Sequence, residues 1–283
     1  MAGILLARNN SRIIGVVVNN HAKYEDRVLE DGFVMSSLNA LSHEVNKKGY
    51  FLMIKTTTDI NEIIVFASMW NMDGLILMGF CEADYEKLRN QMRISFVVYD
   101  GYFDKCSKFV NLVIDHYDGG YKAGEYFKKL GHKKALCISD NYICMDKERI
   151  DGFCKAFAPG ETLIWQIPNT KKGRVQFYKD KFLELSMLDI TGIFAVSDYY
   201  ALDFMQFLQR KGVRIPEDLQ IIGMDDSMAS RESIPALTTI HQNADLRAKI
   251  AIECIEDMRD GKDCDTRIVL PVKLIKREST RKL

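Results

Sequence analysis

The chain places carboxylates where short apolar runs stop. Asp100 follows SFVVY, Asp115 ends NLVID, and Asp140 follows KALCIS. Ser197-Asp198 follow GIFAV, and Asp225-Asp226 follow LQIIGM. An ionised carboxylate only accepts hydrogen bonds, and Arg149, which opens the run RIDGF, offers a planar fork of donors. Such a set suits the holding of a polar small molecule. Each residue also has a simpler role. Asp198 would cap a helix beginning at Tyr199, and Asp115 or Asp118 would cap the helix that carries Lys122 to Leu130. Arg149 would be a solvated arginine, or one placed for a helix dipole. The loop after Met224 is less obviously a cap for both of its aspartates, so one of the pair is assigned to a ligand.

Other chemistries lack their residues. The seven cysteines are scattered and show no C-x-x-C spacing, which reads as reduced thiols in a cytosolic protein. The five histidines form no H-E-x-x-H pattern, so neither a metal nor a cofactor is expected. G-x-G-x-x-G, Walker A and G-x-S-x-G motifs are missing, GGYKAGE has its lysine misplaced, and the S-x-x-K of STRK lies in the terminal tail. The sequence therefore asks for no enzyme. Lys plus Arg and Asp plus Glu both number 39, so there is no overall field to hold nucleic acid by this chain alone. No apolar run approaches the roughly 18 residues of a membrane helix. MAGILLARNNSR lacks the pattern of a signal peptide, and a cytoplasmic location is expected.

The elements that must carry these residues alternate. Apolar runs at 13–18, 50–55, 74–79, 95–99, 111–115, 134–139, 192–196 and 219–224 read as strands covered on both faces. Between them lie helical patterns, such as the stripe of Val34, Leu38, Leu41 and Val45. Three helices end in KKG, KLG and RKG, with Gly49, Gly131 and Gly212 suited to the left-handed position past a helix end. This rhythm means βα units and mostly parallel sheets. At 283 residues, with too many strands for one comfortable sheet, two such domains in series are expected. No Pro/Gly/Ser-rich linker separates them, and the nearest boundary lies around residues 110–118. Ligands of open parallel sheets bind at the carboxyl ends of the strands, which is where the acids stand. Trp165 reads as core.

Several long runs carry a resemblance. NLVIDHYDGGYKAGEYFKKLGHKKALCIS, ERIDGFCKAF, TGIFAVSDYYALDFMQFLQRKGVRIPEDLQIIGMDD, SIPALTTIHQ and VLPVKLIKREST follow one another in order. They resemble the LacI/GalR family of bacterial transcription regulators, from Ile13 to Thr280. The resemblance implies an α/β fold of the type I periplasmic-binding-protein class, with two Rossmann-like lobes joined by three crossovers near 112–118, 240–242 and 270–272. It implies a remnant of a hinge helix or linker over 1–12, an N-terminal lobe of 13–113 plus 242–271, and a C-terminal lobe of 114–241 plus 272–283. It also implies a small-molecule effector held between the lobes, a homodimer, and DNA binding through a helix-turn-helix headpiece expected upstream of Met1.

Carried over residue by residue, the resemblance assigns effector contact to Arg149 and Asp225. Asp100 matches an acid that touches ligand in some members, and Gln242 stands at a crossover bordering the binding cleft. Asp198 stands in the A-N-D segment of the family, which here reads V-S-D, so Ser197 replaces an asparagine that often contacts sugar. A hydroxyl brings one donor where an amide brings two, so the bonding pattern must differ. Leu6 matches the leucine that wedges into the DNA minor groove. The first loop lacks the common N-P-F-F element, leaving His21 and Tyr24 as candidate wall residues. Leu246-Arg247 stand where a glycine often occurs, on a helix expected at the dimer interface. The expected function is effector sensing and dimerisation in a DNA-binding repressor. The expected effector is a sugar or sugar derivative, with a purine as the second class. A solute-binding protein of a sugar transporter is the alternative with the same fold.

Overall fold

The computed structural model of the chain describes residues 11–20, 27–80, 82–101 and 109–282. Strands and helices alternate along it: β1 (Ile13–Val18), α1 (Gly32–Lys47), β2 (Phe51–Thr56), α2 (Ile60–Met69), β3 (Gly74–Met78), α3 (Glu82–Gln91), β4 (Phe96–Tyr99) and β5 (Phe109–Ile114). The second half continues with α4 (His116–Lys129), β6 (Lys134–Ser139), α5 (Cys144–Phe157), β7 (Glu161–Gln166), α6 (Lys171–Met187), β8 (Gly192–Ala195), α7 (Asp198–Arg210) and β9 (Gln220–Asp225). Then come α8 (Met228–Glu232), β10 (Thr238–His241), α9 (Ala244–Arg259), β11 (Arg267–Leu270) and β12 (Lys273–Ile275). The expected helix ends hold: Gly49, Gly131 and Gly212 have φ of 75°, 85° and 83°. A side chain there would be strained, which is why these turns end on glycine.

The described strands form two six-stranded sheets, ordered β11-β5-β4-β3-β1-β2 and β12-β10-β9-β8-β6-β7. Every pairing is parallel except that of β10 with β12. Each sheet belongs to its own unit. The first unit holds the described residues up to Ile114 and Asn243–Leu270, and the second holds Asp115–Gln242 and the residues from Pro271 onward. The boundaries expected from the sequence stand one residue off at each passage. Ile114 is the last residue of β5 and pairs with Leu270 in the first sheet. Gln242 bonds to Asp225 of the second unit.

The first unit buries Val17, Leu75, Leu77, Phe96 and Val98 around its sheet. The second is more aromatic: Phe153 stacks on Phe194 at 5.1 Å and nearly parallel, and Trp165 is buried as expected. Helices α4 and α5 cross with almost no side-chain volume between them. A Cβ on Gly120 would stand 1.8 Å from the Arg149 carbonyl oxygen, and one on Gly152 would stand 2.1 Å from that of Tyr117. The two backbones are thereby locked in register, because any larger residue must push them apart. Among the described residues no helix is long and apolar enough to cross a membrane.

Candidate functional site

The carboxyl edge of the second sheet gathers most of the expected residues. Asp225 closes β9 with φ of 140°, a conformation that costs a non-glycine residue about 1–3 kcal/mol and concentrates at functional sites. Its Oδ1 accepts from Gln242 Nε2 at 2.5 Å, and its Oδ2 accepts from the Asp198 backbone N–H at 3.2 Å. Gln242 is buried, and its Oε1 has no hydrogen-bond partner. A buried acceptor left unpaired is costly, so this oxygen marks a place where a donor belongs.

Ser197 and Asp198 exchange the roles their order suggests. The helix begins one residue earlier than expected, so Ser197 is the cap: its Oγ accepts from Tyr200 N at 3.4 Å. Asp198 is not the cap but the first residue of α7, almost fully buried. Its carboxylate accepts from Ser227 N at 2.8 Å, Ser227 Oγ at 3.0 Å and Thr239 Oγ1 at 2.6 Å. Burial pushes its carboxyl above the ordinary value, against these bonds. These donors occupy both of its oxygens, and Asp198 therefore braces the loop after β9. Asp115, as foreseen for one of two candidates, caps α4 by accepting from Asp118 N at 2.8 Å.

Asp226 is the anchor of the loop. It receives His241 Nδ1 at 2.8 Å, Arg231 Nε at 3.3 Å and the Arg277 guanidinium. Burial alone would raise its carboxyl, yet the bonds from His241, Arg277 and Arg231 hold it down at about 2.

Arg149 is not a solvated surface residue. It is 8% exposed on α5. Its Nε donates to His116 Nδ1 at 3.1 Å and its Nη1 to the Val196 carbonyl at 2.7 Å. Asp146 Oδ1 stands 3.6 Å from the same Nη1 and offsets the charge. Asp146 in turn accepts from Ser139 Oγ at 3.0 Å and Asn141 Nδ2 at 2.9 Å. The second sheet edge thus brings Arg149, Ser197, Asp198, Asp225 and Gln242 together.

Asp100 stands apart in the first unit. Its Oδ1 accepts from Arg247 Nη2 at 2.8 Å and from Ile114 N at 3.2 Å. Arg247 is 1% exposed, stacks 4.1 Å over the Tyr99 ring and also donates to the Leu112 carbonyl at 2.7 Å. Arg247, on the helix expected at a dimer interface, thus turns its guanidinium into its own unit. Leu6, His21 and Tyr24 lie outside the described residues. Sequence reasoning missed His116, Asp146 and Arg247. His116 was within reach, since it follows the NLVID strand directly, but the partners of the other two are set by tertiary contacts alone.

An α/β protein of two units, each with a mostly parallel six-stranded sheet, has the fold of the type I periplasmic-binding-protein class. Residues 125–280 match the periplasmic binding protein-like domain, and the chain belongs to that family. The repressor PurR of Vibrio cholerae serotype O1 (strain M66-2) is 26% identical over 289 residues, covering 97% of this chain and 82% of the relative. The lac repressor dimer bound to operator and an anti-inducer superposes with a TM-score of 0.80 at 19% identity, covering 99% of this chain and 97% of that one. A LacI family regulator from Enterococcus faecium with bound ribose gives a TM-score of 0.76 at 25% identity, covering 96% and 99%. The resemblance to LacI/GalR regulators drawn from the sequence is borne out.

Proposed function

We propose that the chain is the effector-sensing part of a LacI-type transcriptional repressor, in which a small hydroxyl-rich molecule, a sugar or sugar derivative, binds at the Arg149–Asp225 edge. Occupancy would modulate operator binding by a separate DNA-reading headpiece. The observation that carries the reading is the pairing of roles at one sheet edge. Arg149 is a buried donor held by protein acceptors, while Asp225 and the unpaired Gln242 Oε1 are acceptors at the ends of the paired strands β9 and β10. Vicinal hydroxyls both donate and accept, which suits this mixture, and a purine edge is the second class that does. The ribose bound by the Enterococcus regulator supports the first class, and the PurR relative supports the second.

Thermal shift followed by calorimetry with D-ribose, cellobiose and hypoxanthine tests the reading, since a bound ligand stabilises the fold by mass action. Arg149→Ala and Asp225→Ala should each abolish the binding seen with the wild type. Undiminished affinity in both variants would refute the site.

A homodimer is part of the same proposal. The edge strand β2 exposes Phe51 and Ile54 beside Val65, Met69 and Trp70, and the edge strand β7 exposes Ile164 near a helix that exposes Leu183 and Met187. Apolar side chains on open sheet edges are what a second copy would cover. Light scattering at micromolar concentration should give twice the chain mass.

A further inference from the structure

We propose that His116 is the positioning residue for Arg149, acting as a neutral imidazole whose Nδ1 accepts the Arg149 Nε–H and fixes the plane of the guanidinium at the site. The inference rests on the reading that Arg149 meets the effector, and it adds the residue that aims it.

The donor and acceptor chemistry decides the state of the ring. A guanidinium carries only donors, so a 3.1 Å bond from Arg149 Nε requires a lone pair on His116 Nδ1. The ring proton must then sit on Nε2. An N–H at Nδ1, in the other tautomer or in the imidazolium, would point one donor at another. Both residues are buried, at 3% and 8% exposure, so water is a poor substitute for either partner.

The geometry decides what the bond does. A guanidinium is flat, and two fixed acceptors set its orientation. One acceptor is His116, the first residue of α4, and the other is the Val196 carbonyl just past β8. Together they fix the direction of Nη2, which takes part in neither bond. The backbones behind the pair cannot slide to compensate. Gly120 lies against the Arg149 carbonyl, and Gly152 lies against the carbonyl of Tyr117, the neighbour of His116. Without the imidazole acceptor the Asp146 carboxylate, 3.6 Å from Nη1, would compete for the guanidinium and pull it off its line.

His116 also stands two residues past the passage of the chain from the first unit into the second. The bond therefore ties the arginine to the first turn after that passage.

The test has one arm that needs no effector. In the ligand-free full chain at neutral pH, ¹⁵N NMR of the imidazole should show Nε2 protonated and Nδ1 bare. The Arg149 Nε–H should be protected from exchange in the wild type and in His116→Asn, whose amide oxygen can stand near the Nδ1 position. Protection should be lost in His116→Leu, which keeps the bulk without the acceptor. A protonated Nδ1, or equal protection in all three proteins, overturns the proposal.

The second arm uses D-ribose, cellobiose and hypoxanthine as probes. For the one whose binding depends on Arg149, His116→Leu should weaken affinity about tenfold or more, and His116→Asn should recover it to within about threefold of wild type. Equal affinities in the three proteins overturn the positioning role. If no probe binds in an Arg149-dependent way, the effector reading falls, while the NMR arm still decides whether His116 holds Arg149.

Discussion

Asp100 and Asp225 occupy matching places and are held by opposite means. Asp100 directly follows β4 and Asp225 is the last residue of β9, and each has a positive φ, 54° and 140°. Asp100 is bonded to a fully buried cation, Arg247, and to a backbone N–H. Asp225 is bonded to a neutral amide and a backbone N–H. A buried ion pair satisfies a carboxylate and ties it into the architecture. The Gln242 amide and the Asp198 N–H are neutral donors, and a ligand hydroxyl is a donor of the same kind. Two acids that read alike in sequence are thus a brace in one unit and a candidate receptor group in the other.

The comparison can be broken most sharply at Arg247. Arg247→Met leaves Asp100 charged beside a buried apolar side chain and should cost about 3–5 kcal/mol in urea unfolding. Adding Asp100→Asn in that background should return part of the loss, because the stranded charge is removed. Recovery of nothing would mean that Arg247 acts through its stacking on Tyr99 and its bond to the Leu112 carbonyl, and not through the Asp100 charge.

A smaller effect is expected at Asp226, the other anchored acid. Its folded value of about 2 lies below the ordinary carboxylate value, so its stabilisation is complete above about pH 4 and is lost as the pH falls through 2. Asp226→Asn should cost about 2 kcal/mol at pH 7, and the gap from wild type should close between about pH 4 and 2. A gap of constant size over that range would show that the charge is not what matters.

The smallest effect on the fold belongs to Asp225. Asp225→Asn should shift stability by less than about 1 kcal/mol, because the amide keeps an oxygen that can accept from the Asp198 N–H. It should nonetheless remove the binding that depends on Arg149. A loss of stability as large as that of Arg247→Met would erase the distinction between the two acids.

Much of the framework was legible because it is local. The helix–glycine–strand rhythm placed the C-terminal glycines correctly, and apolar runs located the strands covered on both faces. Strand β7 was missed because only Trp165 of its six residues is fully buried and its ends are polar, and β10 to β12 because each is only three or four residues long. At the site, Asp225 and Arg149 were legible through the resemblance, but their surroundings were not. Asp198 looked like a cap because it precedes Tyr199; the helix starts one residue sooner and gives the capping to Ser197. Arg149 looked solvated because its acceptors, His116 and Val196, lie 33 and 47 residues away. Arg247 was noted only as standing where a glycine often occurs, because its carbonyl partner, Leu112, is 135 residues distant.

That last separation has a consequence for synthesis. Neither unit is a continuous stretch of chain. The first needs α9 and β11 from the end of the sequence, and the second needs β12 and Ser279, whose hydroxyl bonds to the Ile221 carbonyl 58 residues earlier. As the chain leaves the ribosome, Asp100 emerges long before its counterion, and β5 waits as an open edge until β11 arrives. The amino-terminal half cannot finish first, as successive domains usually do. The two sheets gain β11 and β12 within a few residues of each other, and until then the growing chain presents unpaired strand edges.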